Sequence, residues 1–167
     1  MNAARFLRGL EDHLRPVITA EKGLVSIAAE PQEALELLGK QAPERWGICL
    51  VWQGYGGPSD DDFNEGQVNK LSVFVRVPVG LMMGPGNAVH RGTPGGAASV
   101  LELVEFVNVA LRRIVFDNED IEARRLRLVK SEWYRKEDGK TLRIHELQFE
   151  LVTILDAAAA DVNVTIL

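Results

Sequence analysis

The stretch that most limits how this chain can fold is WGICLVWQ, residues 46–53. It is apolar at successive positions and closely bounded, with Pro43 before it and GYGGP after it. Because strand side chains alternate between two faces, a short run that is apolar throughout needs cover on both sides. The run therefore predicts a central strand in a layered domain, flanked by elements that each bury one apolar side.

Helices are legible before and after it in the chain. Near the start, Phe6, Leu7, Leu10, Leu14 and Val17 recur at helical spacing opposite Arg5, Arg8, Glu11 and Asp12, and Pro16 is expected to disturb the helix. EPQEALELLGK predicts a short second helix, with Pro31 in the first turn and Gly39 just past the end. Residues 99–116 carry the clearest helix signal in the chain. Ser99 and Glu102 stand at capping-box spacing, Val100, Leu103, Val104, Val107, Leu111 and Ile114 form the stripe, and Arg112 and Arg113 suit the C-terminal dipole.

A second strand is expected over residues 71–79, where Leu71, Val73, Val75 and Val77 alternate with Ser72, Phe74 and Arg76. After Asp117 the chain to Ile154 reads as a hairpin turning at Asp138-Gly139. Counting outward from that turn pairs Leu128 with Phe149, Leu126 with Leu151 and Trp133 with Ile144. The apolar parity changes partway along both strands, between Leu128 and Trp133 and between Leu147 and Ile144. A bulge or twist around Ser131 and Glu146 would produce that change, as would a tip projecting toward another molecule.

These elements define an α+β fold in which an antiparallel sheet of about four strands, with a long C-terminal hairpin, packs against two to three helices. Residues 1–155 are expected to form one domain, since 167 residues at 46% hydrophobic content support one core. Residues 54–69 and 80–98 are expected as mobile loops. DAAAADVNVTIL, residues 156–167, reads as a linker followed by a short strand or an arm donated to a neighbour.

The chemical motifs are weak. A phosphate loop needs a Gly-Lys pair that residues 79–99 lack, and Val89 stands where GxGxxG would place its third glycine after Gly84 and Gly86. Asp60, Asp62 and Asn64 imitate the start of a calcium loop, but Glu65 and Leu71 occupy the positions that require glycine and glutamate. His13, His90 and His145 have no Cys or His neighbours at ligand spacing. His145 beside Glu146 is conceivable as an acid–base pair, although a surface strand histidine is the simpler reading. Cys49 reads as core, and its lack of a partner cysteine suits a reducing cytoplasm. No catalytic residue, cofactor or metal site is assigned. A net charge of -5 gives no general attraction to nucleic acid or anionic lipid, and no apolar run reaches the ~20 residues of a membrane span.

The order of elements resembles that of the tail terminator, or tail completion, proteins of long-tailed bacteriophages such as lambda and the Mu-like phages. An amphipathic helix, WGICLVWQ, a polar loop, KLSVFVRVPV, a glycine-rich loop, SVLELVEFVNVALRRI and a hairpin ending TLRIHELQFELVTIL follow one another along most of the chain. The resemblance rests on pattern and not on a diagnostic motif. It implies a non-enzymatic virion protein, made in the bacterial host cytoplasm, that forms a hexameric ring of identical subunits. The ring would cap the tail tube protein, end its polymerisation and present a face to the head-tail connector protein. DNA would pass through it without specific binding, which an acidic protein permits.

On this reading the candidate subunit or tube contacts are Trp133, Leu142 and Ile144 at the hairpin tip. Leu81, Met82 and Met83, the apolar foothold of the glycine-rich loop, join them together with Arg91. The competing expectation is a small enzyme or ligand-binding protein whose pocket lies under that loop, with His90, Arg91 and His145 as its polar groups.

Overall fold

A computed structural model describes residues 3–56, 66–78, 100–118, 121–135, 141–154 and 163–166. The elements in chain order are α1 (Ala3–Ala20), β1 (Leu24–Ala28), α2 (Pro31–Gly39), β2 (Gly47–Gly56), β3 (Gly66–Arg76), α3 (Val100–Arg112), β4 (Ile114–Asn118), β5 (Ile121–Arg125), β6 (Arg127–Arg135), β7 (Thr141–Ile154) and β8 (Asn163–Ile166). They build an α+β fold with a five-stranded sheet, ordered β1-β2-β3-β7-β6, and a three-stranded sheet, ordered β5-β4-β8.

The apolar run takes the interior position expected of it. β2 lies between β1 and β3, and Ile48, Cys49, Leu50 and Val51 are all fully buried. Ile48 and Leu50 join the main core beneath α1 and α3, whereas Cys49 and Val51 join a smaller cluster containing Ala34 and Leu38 of α2. Burial raises the Cys49 thiol pKa, with the Ser26 hydrogen bond acting in the opposite direction.

β1 was not apparent from sequence. Its five residues, LVSIA, pair with β2 in parallel, so the large sheet is mixed where an antiparallel one was expected. The approach to β1 is closely specified. α1 ends with Lys22 at φ 58, Lys22 N–H on Thr19 O and Gly23 N–H on Ile18 O, the paired bonds of a Schellman end. A Cβ at Gly23 would lie 2.6 Å from the Trp46 ring, whose Nε1 donates to Glu21 O at 2.9 Å, so glycine lets the indole close over the turn.

Several boundaries differ from expectation for physical reasons. α1 continues through Pro16, and Ile18 rather than Val17 reaches the core; Val17 is 37% exposed. α2 begins at Pro31 as expected but includes Gly39, with Lys40 as a right-handed C-cap. The Arg76 guanidinium from β3 donates to Leu38 O, placing a cation at the α2 C-terminus. α3 stops at Arg112, because Ile114, Val115 and Phe116 are claimed by β4, which pairs with β5 and β8. Ile114 satisfies the helical period and the strand burial alike, so periodicity alone reads through the boundary. Ser99 of the expected capping box lies outside the described residues.

Within the segment 54–69, expected as a loop, the described residues are strand. Residues 54–56 extend β2 and 66–69 extend β3; the register shift between Trp52 and Gly54 coincides with φ 97 at Gly54, a conformation that favours glycine. Residues 57–65, including the calcium-like aspartates, and residues 79–99 lie outside the described residues.

On the hairpin, Leu128 faces Phe149 as expected, while Asp138-Gly139 lies outside the described residues and the pair beside it, Arg135 with Thr141, departs from the turn count. Pairing then slips by one residue between Leu128 and Lys130, so Trp133 lies opposite His145 and not Ile144. The expected bulge is real on β6, centred near Val129 instead of Ser131. On β7 the parity change has another cause, because its register with β3 is unbroken from Ile154 to Ile144. Leu147, Phe149 and Leu151 face the main core, while Ile144 turns toward the α2 side. Its apolar character reflects cover by α2, not a twist in the strand.

Candidate functional site

An open apolar groove lies between α1 and α3. Both helices direct their main stripes into the sheet: Phe6, Leu10, Leu14 and Ile18 from α1, and Val100, Leu103, Val107 and Leu111 from α3. A second set of apolar residues, off those stripes, is left facing solvent. Leu101 is 56% exposed, Val17 37% and Val109 36%, and they line a groove of about 590 Å³ with Leu14 and Phe106 on its walls. His13, Glu105 and Arg113 stand at its margin. An open apolar trough with a charged rim is suited to an apolar ridge on another macromolecule.

The opposite face of the sheet carries a polar cluster. Ser72 and Glu146 are buried, and the Ser72 hydroxyl donates to Glu146 Oε1 at 2.7 Å. Gln148 Nε2 reaches the same oxygen at 3.1 Å, and Gln53 Nε2 donates to Ser72 Oγ at 3.2 Å. The four side chains come from three neighbouring strands, so the network ties β2, β3 and β7 together. A hollow of about 330 Å³ beside it includes Lys70, Val129 and Glu150 among its lining residues.

His145 and Glu146, adjacent in sequence, point to opposite faces and make no acid–base pair. His145 is buried beside Trp133, with ring centroids 5.2 Å apart, and its Nε2 lies 2.8 Å from Ser131 Oγ. Nδ1 is buried without a hydrogen-bond partner, so no third group orients the ring as a nucleophile–base system requires. Burial lowers the His145 pKa, opposed by the charges of Glu132 and Glu146.

The contact candidates therefore separate. Trp133 is half-buried and packs against the main core, and Ile144 is buried in the cluster under α2. These two occupy opposite faces and form no common tip surface. Leu142 belongs to β7, but its side chain lies outside the described residues, as do Leu81, Met82, Met83, His90 and Arg91 entirely. Among the described residues no group of three or more His, Cys, Asp or Glu side chains is placed to hold a metal. No described helix is long and apolar enough to cross a membrane. The groove was missed because Leu101 and Val109 fall off the core stripe; their eight-residue spacing on one helix was the available signal.

No protein-family model matches the chain, and no curated protein sequence matches it.

Proposed function

We propose that this protein is a structural subunit of a bacteriophage tail that assembles as a ring on the tail tube, ends tube polymerisation and offers a surface for head joining. The observation that carries the reading is the order α1, β2, β3, α3 and the β6–β7 hairpin, the order on which the resemblance to tail terminators rests. The exposed apolar trough between α1 and α3 supports it, since an assembling subunit needs a surface that a neighbour or the tube covers. Ring closure requires each subunit to present two different, mutually complementary patches.

Negative-stain microscopy of the concentrated protein, alone and with purified tail tubes, tests the reading. Sixfold rings, free or seated on tube ends, are expected. Strict monomers in both preparations overturn it.

A further inference from the structure

Among the described residues the two sheets have four outer strands, and their edges are not alike. β6 carries Arg127, Lys130, Glu132 and Arg135, and its ladder is interrupted by register shifts after Leu128 and after Trp133. β5 carries Glu122, Arg124 and Arg125. Charges and bulges of this kind discourage another strand from pairing. β1 (LVSIA) and β8 (NVTI) contain no charged residue, no proline and no recorded register shift.

The β1 edge can be resolved residue by residue. Leu24 N–H donates to Trp46 O, which fixes Leu24, Ser26 and Ala28 as the residues whose backbone groups face β2. Val25 and Ile27 consequently turn their N–H and C=O groups outward. The next outward N–H, that of Ala29, is capped within the subunit by Glu33 Oε2 at 2.7 Å. A short ladder thus remains, limited at its far end by that cap, and Leu24 beside it is 42% exposed. Backbone groups in such a row are complementary to one kind of partner, an extended strand.

We infer that the outward edge of β1 accepts strand β8 of a second copy, joining subunits head to tail through hydrogen bonds between their sheets. The inference rests on the ring reading and supplies a contact for it. Charge selects the occupant: of the other outer strands among the described residues, only β8 brings no charge against an uncharged ladder. Because β1 and β8 are different surfaces, the contact is heterologous and generates a ring when its rotation closes. Pairing of β1 with another β1 would instead give an isolated two-fold dimer.

Two variants and their mixture test this. Ile27→Pro removes an outward N–H while leaving the bonds to β2 in place, and Val164→Pro disables β8. Leu24→Lys and Val164→Asp serve as milder substitutes should either proline variant fail to melt as a folded protein. By native mass spectrometry each variant alone should remain monomeric, with half-assembly displaced at least about tenfold in concentration, the scale of one or two lost hydrogen bonds. Mixed, the two should form a one-to-one dimer that grows no further, because each retains the surface the other lacks. A mixture that stays monomeric, or a Val164→Pro protein that dimerises by itself, overturns the inference. Variants that form rings as readily as wild type overturn it while leaving the ring reading intact, whereas wild-type protein that forms no ring even on tubes overturns both.

Discussion

The two faces of the five-stranded sheet solve the same covering problem differently. One face lies under α1 and α3 and is apolar from Ile48 and Leu50 through Val73 to Leu147 and Phe149. Among the described residues the other is apolar in the cluster with α2, at Ala28, Cys49, Val51, Phe74 and Ile144, and polar beyond it, at Gln53, Ser72, Glu146 and Gln148. Burial alone does not decide composition: Ser72 and Glu146 are buried as Ile144 is, but they satisfy one another by hydrogen bonding instead of packing under α2. β7 shows this directly: Ile144 and Glu146 share a face, but only Ile144 joins the apolar cluster under α2.

If that comparison holds, deleting apolar volume should cost most on the fully covered face. Phe149 is 1% exposed and sits within the main core, so Phe149→Ala should cost about 3–5 kcal/mol. Ile144 is 6% exposed in the smaller cluster, and Ile144→Ala should cost about 2–3 kcal/mol. The two side chains belong to separate clusters, so the double variant should show their sum to within about 0.5 kcal/mol. Urea unfolding of the three variants measures all of this. Equal costs, or strong coupling, would mean that the faces are not independent.

His145 provides a smaller test, because it is an ionisable group placed on the apolar face. Burial depresses its pKa below the ordinary 6.5, so the unfolded chain takes up a proton more readily than the folded one. Stability should therefore be fully present above about pH 6.5, the unfolded value, and decline as pH falls toward the lower folded value. The urea midpoint should fall between pH 7.5 and 5.5 in the wild type. His145→Gln should flatten that slope, whatever it does to the midpoint itself. An unchanged slope would show that His145 titrates as though exposed, and that the face is open at this end.

Much of this arrangement was legible because hydrophobic period reports burial. It placed β2, β3, the stripes of α1 and α3, and the Leu128–Phe149 pair, although the Asp138-Gly139 turn from which that pair is counted lies outside the described residues. It failed where one pattern satisfies two structures. Ile114 fits both the end of α3 and the start of β4, and LVSIA is too short to establish a period. Parity was legible on β7 as well, but its cause was not, since sequence shows where apolar residues change face without showing that α2 covers Ile144. The candidate contacts were inferred from that same parity. They divided for the same reason, with Trp133 against the main core and Ile144 beneath α2.

The smallest effect is expected at the outer margin of the polar face. Lys130 pairs with Glu132 at the β6 edge, both about half exposed, and the hydrogen bond the ammonium donates to Glu132 raises the lysine pKa. Water screens such a pair, so Lys130→Ala should leave the melting temperature unchanged. Its consequence should appear in association instead, because removing the charge weakens the guard beside the Val129 bulge; light scattering at high protein concentration should rise. Glu132 is also directly opposite Glu146 across the ladder, with Lys130 close enough to feel both carboxylates. A clear loss of melting temperature in Lys130→Ala would therefore assign the lysine to the network of Ser72, Glu146 and Gln148, where it would hold apart two like charges. The polar face would then extend as a connected structure to the sheet edge, and the contrast between an apolar packed face and a polar hydrogen-bonded one would have to be redrawn to include that edge.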